Sequence, residues 1–292
     1  MKKRTKKKLW KFVKYVAKVI FYYPFKGLWW VLKKSVLGVK SQVNKTVEIG
    51  KKKKIEKNKP QTQAKYNKLK ELKNKKGNLA DFENKLYKNK STVGLILGAR
   101  GTGKSAIGIC FLENFKVKTN KNIYALGFKE ESLPNWIKVV KDVEEIENDA
   151  VILIDEGGIE FSSRKTMSSA NKILSEILLI ARHKDLSVIF ITQNSANLEI
   201  NVIRQADYLI LKPSSLLQKD FERKKIRDVY TDVEDDFEKI DNPGKTYIYS
   251  NNYLGFISNK LPSFWSEKVS KGYANKKQNK DKKNKDKNNK TK

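Results

Sequence analysis

Residues 98–105 read Gly-Ala-Arg-Gly-Thr-Gly-Lys-Ser and fit the spacing G-x-x-x-x-G-K-[ST]. The apolar run Val93–Leu97 precedes them with strand character, and Ile107, Ile109, Phe111 and Leu112 follow with apolar periodicity suited to a helix. That flanking matters, because a glycine-rich loop between a strand and a helix can wrap a phosphate. Gly98, Gly101 and Gly103 let the backbone N–H groups of Ala99, Arg100, Thr102 and the residues through Ala106 converge, and the helix N-terminus adds partial positive charge. Lys104 is placed to reach β- and γ-phosphates, and the Ser105 hydroxyl to ligate Mg²⁺. The ligands this predicts are a nucleoside triphosphate and Mg²⁺.

A second group lies further along the chain. Val151-Ile-Leu-Ile-Asp-Glu156 is a buried-strand pattern ending in two carboxylates. Carboxylates at such a strand end are costly unless a cation or a reaction retains them. Asp155 is expected to hold Mg²⁺, and Glu156 to polarise an attacking water, for hydrolysis of the terminal phosphate. A strand end facing solvent is the plain alternative. A third apolar strand, Leu186–Thr192, leads into Gln193, an amide that could orient water or sense the γ-phosphate, or simply contact backbone. Between these strands, Ile173, Leu174, Ile177, Leu178 and Ala181 mark a core-facing helix that runs into Arg182-His183-Lys184, cations favoured near a helix C-terminus. Arg164, Arg182 and Arg204 are candidates for acting on a neighbouring subunit's nucleotide, with helix-end or surface ion pairs as the alternative. Cys110 reads as a small buried residue of the first helix.

The elements that must position these residues occupy the middle of a 292-residue chain, long enough for one sizeable domain. The net charge of +31 is unevenly spread. Residues 1–90 carry 29 basic and 5 acidic side chains, residues 268–292 carry 11 and 2, and residues 91–267 carry 23 and 25. Charge alone therefore does not mark the central domain as a nucleic-acid binder. Six of seven arginines lie in that near-neutral middle, where a rigid fork suits positioned contacts, while lysine dominates the flanks. One cysteine excludes a disulfide framework and a cysteine-based zinc site.

Residues 9–39 hold nine aromatic rings. Lys7, Lys11, Lys14 and Lys18 fall on one helical face, opposite Leu9, Val13, Val16 and Ile20. The lysines interrupt any simple span and fit a secretory signal poorly. The stretch, broken at Pro24, reads as two short basic helices lying in a membrane interface. Docking on the chain itself or a partner, and a snorkelling span, are the alternatives. Residues 40–90 read as a basic connector with two modest helices split at Gly77, residues 91–267 as the catalytic domain, and residues 268–292 as a disordered tail. Leu216 to Ile226 suggests a helix, and Thr246–Ser250 with Tyr253–Ile257 a hairpin around Asn251-Asn252.

The ordered set GARGTGKS, VILIDE, a helix ending ARHK, SVIFITQN and the strand DYLILKP resembles the FtsK-HerA branch of P-loop ATPases, most closely the zonular-occludens-toxin-like and viral DNA-packaging or extrusion ATPases. The resemblance covers roughly residues 91–215. It implies an α/β, RecA-like P-loop fold with a central, mainly parallel sheet, preceded here by basic amphipathic helices and followed by a β-hairpin and tail. It further implies a homo-oligomeric, hexameric ring that hydrolyses ATP to move DNA at the cytoplasmic face of a membrane or in a virion. By position it assigns Lys104 and Ser105 to nucleotide and Mg²⁺, Asp155 and Glu156 to metal and water, and Gln193 to phosphate sensing. Two departures stand out: the apolar basic segment precedes the domain rather than following it, and nothing after residue 216 is long enough to span. A GTPase gains from D-x-x-G at Asp155–Gly158 but lacks a base-reading N-K-x-D in the core. A non-enzymatic scaffold tethering nucleic acid to a membrane is the remaining alternative.

Overall fold

The structure is a computed structural model and describes Gly50, residues 56–57, 59–158 and 167–270. The chain divides into two units, Met1–Asn58 and Lys59–Lys292, and the elements below belong to the second. Three expectations lie outside the described residues: the amphipathic segment 9–39, Arg164, and the tail from residue 271.

Strands β1 (Lys70–Gly77), β2 (Thr92–Leu97), β3 (Asn122–Leu126), β4 (Lys138–Val139), β5 (Ala150–Asp155), β6 (Ser187–Ile191), β7 (Tyr208–Leu211), β8 (Thr246–Ser250) and β9 (Tyr253–Ser258) form one sheet in the order β1-β9-β8-β7-β2-β6-β5-β3-β4. The run from β7 to β4 is parallel, and β8, β9 and β1 are antiparallel additions. The helices are α1 (Leu79–Lys88), α2 (Lys104–Lys118), α3 (Met167–Ala181), α4 (Ile200–Arg204), α5 (Leu216–Phe221), α6 (Lys224–Thr231), α7 (Glu234–Lys239) and α8 (Glu267–Ser270).

Alternate residues of each central strand enter different apolar layers, as the pleat requires. On one side Ile152 and Ile154 of β5 join Leu174 and Ile177 of α3 and Tyr230 of α6. On the other, Val151 and Leu153 join Phe111 and Phe115 of α2 and Phe82 of α1. Both faces of the parallel strands are thus covered, which is why they read in sequence as unbroken apolar runs. The result is an α/β fold with a mainly parallel central sheet covered on both faces. The hairpin expected at residues 246–257 forms as β8 and β9 and extends that sheet.

Two expected elements differ. The first helix of the supposed connector is instead β1, paired antiparallel with β9, and its exposed lysines sit on a sheet edge where charge discourages pairing with another chain. Lys73 and Lys75 of this strand both bind Asp236, at 2.5 and 2.8 Å. The second expected helix is α1, capped by Asn78, whose side chain accepts from the Ala80 N–H at 2.8 Å. Residues 70–88 are therefore part of the folded domain rather than a linker to it. The helix expected from Leu216 to Ile226 is broken into α5 and α6 at Glu222 and Arg223. The buried Glu222 carboxylate accepts from the Ser195 N–H at 2.8 Å, and Arg223 Nε donates to the Ser195 carbonyl at 3.1 Å. These bonds hold both residues in non-helical backbone.

In the second half of α2, the fully buried Glu113 gathers two distant segments. Its carboxylate accepts from the Lys65 N–H at 3.0 Å, the Asn67 side-chain amide at 2.8 Å and the Ser263 N–H at 3.1 Å. Asn114 beside it exchanges two further bonds with the Asn67 backbone, at 2.7 and 2.8 Å. Among the described residues, no helix is long and apolar enough to cross a membrane.

Candidate functional site

The phosphate loop leaves the C-terminal end of β2 and runs straight into α2. Gly101 and Gly103 adopt φ of 82° and 93°, the left-handed region in which a side chain is strained. Lys104, the first residue of α2, is buried, and its Nζ donates to the Gly98 and Ala99 carbonyls at 2.7 and 2.9 Å. The ammonium is therefore held across the loop that its own backbone forms. Burial lowers its pKa, and Asp155 partly offsets that.

β6 lies between β2 and β5, so the C-terminal ends of three neighbouring strands meet. Register aligns them: Ile96 pairs with Ile191, and Ile191 with Asp155. Asp155 ends β5, with Oδ2 accepting from the Ser105 hydroxyl at 3.3 Å and Oδ1 from the Gly158 N–H at 3.4 Å. Burial raises its carboxyl above the usual range. Glu156, which begins a helical turn, is buried, and the Thr192 hydroxyl donates to its Oε2. Gln193 follows, exposed, two residues past β6, where its carbonyl accepts from the Gln218 side-chain amide of α5.

The expected phosphate-loop residues 98–106, Asp155, Glu156 and Gln193 are thus brought to one end of the parallel strands. Arg182 is not. Helix α3 runs back toward the start of the strands, and Arg182, just beyond its end, lines a cleft with Ser91, Val93, Gln205 and Asp207 at the opposite end. Arg204 is exposed at the end of α4, and His183 is exposed in the turn after α3. Cys110 is buried in α2 as expected, with its thiol pushed up to about 12 by burial.

Two residues near the site have positions that the sequence does not display. Thr192 reads there only as a β-branched strand residue, yet it orients the Glu156 carboxylate. Lys212, immediately after β7, is 2% exposed, and burial brings its ammonium down to about 8. A lysine closing the apolar run Tyr208–Leu211 is the one available signal.

The oxygens of Ser105 and Asp155 suit a hard divalent cation such as Mg²⁺. Among the described residues no group of three or more His, Cys, Asp or Glu is placed to hold a metal, so phosphate and water would complete the cation's shell. A loop that presents backbone N–H groups and an ammonium, beside one carboxylate near the cation position and a second buried one, has the parts for hydrolysing a nucleoside triphosphate.

No curated protein matches the chain. Among solved structures, the chain is similar to the genome packaging NTPase B204 of Sulfolobus turreted icosahedral virus 2 in complex with ATP-gammaS, at 17% identity over 59% of this chain and 100% of that one, with a TM-score of 0.41. It is also similar to the pCW3 conjugation coupling protein TcpA with ATPgS, at 12% identity over 62% and 63% of the two chains and a TM-score of 0.42. The cytoplasmic domain of the Thermomonospora curvata type VII secretion ATPase EccC matches at 14% identity over 70% of this chain and 29% of that one, with a TM-score of 0.42. The sequence model of the zonular occludens toxin (Zot) family matches residues 110–210, the segment that carries Asp155, Glu156 and Gln193, in agreement with the branch to which the motif order points.

Proposed function

We propose that the chain is an ATPase that couples hydrolysis to the movement of DNA at a membrane, as part of a virus or other mobile element. The observation that carries the ATPase reading is the meeting of Lys104 and Ser105, Asp155 and Glu156, and Gln193 at the ends of three adjacent parallel strands. Lys104 and the loop N–H groups bind the β- and γ-phosphates. Ser105 and Asp155 hold Mg²⁺, which when bound neutralises phosphate charge. Glu156, oriented by Thr192, accepts a proton from the attacking water, and Gln193 fixes that water relative to the γ-phosphate. DNA as cargo is supported by the resemblance of the motif order and by the lysine-rich flanks. Membrane attachment is supported by the basic aromatic segment 9–39. Arg182, set at the other end of the strands, can act on a nucleotide only across a subunit boundary, as in the hexameric ring that the resemblance implies.

ATP hydrolysis measured with and without double-stranded DNA tests this reading. Glu156→Gln is expected to bind ATP but to lose turnover by at least about a hundredfold. Lys104→Ala is expected to lose binding as well. An absence of hydrolysis under both conditions, with Lys104→Ala leaving biological activity intact, would favour the scaffold alternative. Deletion of residues 1–39 is expected to release the protein from anionic liposomes while sparing basal hydrolysis, and unchanged flotation would refute the anchor. Mixed assemblies test Arg182: Arg182→Ala protein should regain turnover when combined with Lys104→Ala protein, and no recovery would refute a role across subunits.

A further inference from the structure

Lys212 follows β7 inside the protein. Its N–H donates to the Leu97 carbonyl at 2.8 Å, and the Ala99 N–H donates to the carbonyl of the next residue, Pro213, at 2.9 Å. The chain after β7 therefore runs alongside the start of the phosphate loop, and the Lys212 side chain lies against that loop. A Cβ added to Gly98 would fall 2.5 Å from Lys212 Cβ, and one added to Gly103 would fall 3.6 and 3.7 Å from Lys212 Cε and Nζ. The lysine stem thus fills the space that glycine at position 98 leaves open. Its ammonium donates to the Gly244 and Lys245 carbonyls at 3.0 and 3.2 Å, in the turn before β8. Both partners are neutral, so a buried cation is balanced by carbonyls alone, beside a loop shaped for an anion.

We infer that Lys212 is a positioning residue of the nucleotide site: its stem shapes the loop at Gly98 and Gly103, and its ammonium adds a second buried cation that favours a polyphosphate there. This rests on the reading of the loop as an ATP site. It also ties the loop to the turn that leads into the β8–β9 hairpin.

Among the described residues, the groups around Lys212 supply it with carbonyl dipoles but no opposite charge. Cys110 of α2 carries a thiol pushed up to about 12 and stays neutral. Tyr230 of α6, also raised by burial, donates from its neutral phenol to the Lys212 carbonyl at 3.1 Å. Lys104 is directed to the Gly98 and Ala99 carbonyls, Lys245 to the Phe237 and Ile240 carbonyls, and Arg100 of the loop is exposed. With the ammonium brought down to about 8 by burial, its charge is present at neutral pH and is lost as pH rises.

Titration of the full chain with ATP-gammaS tests the inference. Lys212→Met is expected to bind about tenfold more weakly, the scale of one charged contact, and Lys212→Arg to recover part of the loss. Wild-type affinity should fall between about pH 7 and about pH 9, whereas the Lys212→Met profile should lack that fall. Wild-type affinity in Lys212→Met, or parallel pH profiles, would overturn the inference. Should thermal melting show that Lys212→Met does not fold, NMR titration of the wild-type lysine ammonium groups decides: ATP-gammaS is expected to raise the Lys212 pKa, and an unmoved titration counts against it. Binding that survives Lys104→Ala unchanged would instead remove the ATP-site reading, and this inference with it.

Discussion

At the residue scale, the Thr192 hydroxyl and the Glu156 carboxylate form a pair that sequence spacing does not reveal, because 36 positions separate them. Thr192→Val keeps the shape and removes the donor. On the proposed mechanism it is expected to lower turnover about tenfold with ATP affinity unchanged, since the Glu156 carboxylate is still present but less well oriented. Steady-state kinetics beside a binding titration checks this, and equal losses in both would assign Thr192 to folding instead. Asp155 makes a second case. Its pKa is raised by burial, so its contribution to stability is greatest in acid and is lost as pH rises through that raised value. Asp155→Asn should therefore raise the ligand-free melting temperature at neutral pH while abolishing hydrolysis. Lys104, Ser105, Asp155 and Glu156 are legible in the sequence because each motif is local and its residue types have few other uses. Thr192 and Lys212 are not, since their positions beside the site exist only once distant strands are side by side.

At the element scale, β1 shows where pattern reading loses its grip. An exposed edge strand has no apolar alternation to display, and its Lys-Glu-Leu-Lys-Asn-Lys-Lys-Gly composition mimics a solvated linker. What fixes it is the ladder to β9 and the pair of lysines on Asp236. Hydrogen bonds from those lysines, more than their charge, hold the Asp236 carboxyl below its usual range. The pair therefore stabilises the fold above the ordinary carboxylate pKa, and that contribution disappears as pH falls toward the lowered value. Asp236→Asn should cost no more than about 1 kcal/mol at neutral pH, given the exposure of Lys73, and should flatten the acid limb of the stability curve. Urea unfolding across pH measures both. The break between α5 and α6 is hidden for a related reason: Glu222 and Arg223 are good helix formers, and only their bonds to Ser195 override that preference.

At the scale of the whole molecule, the domain is larger than its motifs. A chain cut to begin at residue 91 lacks β1 and α1 and bares the edge of β9 together with the apolar surface that Phe82 and Leu86 cover. It is expected to aggregate, whereas one beginning at residue 59 should be soluble and bind ATP-gammaS; sedimentation and circular dichroism distinguish the two. The Glu113 and Asn114 contacts have a mechanical meaning as well. Helix α2 starts at the phosphate loop, and Glu113 sits nine residues into it, roughly 14 Å along its axis. There Glu113 accepts from the Lys65 and Ser263 N–H groups, and Asn114 beside it accepts from the Asn67 N–H. A tensile load on the segment preceding β1 would meet the Lys59–Glu130 pair and the Trp136-to-Thr62 hydrogen bond first, and then the Lys65 and Asn67 bonds to α2, before it reached the ladder to β9. Under single-molecule traction from that flank, Glu113→Gln should therefore lower the early rupture forces while leaving the later unfolding of the sheet unchanged.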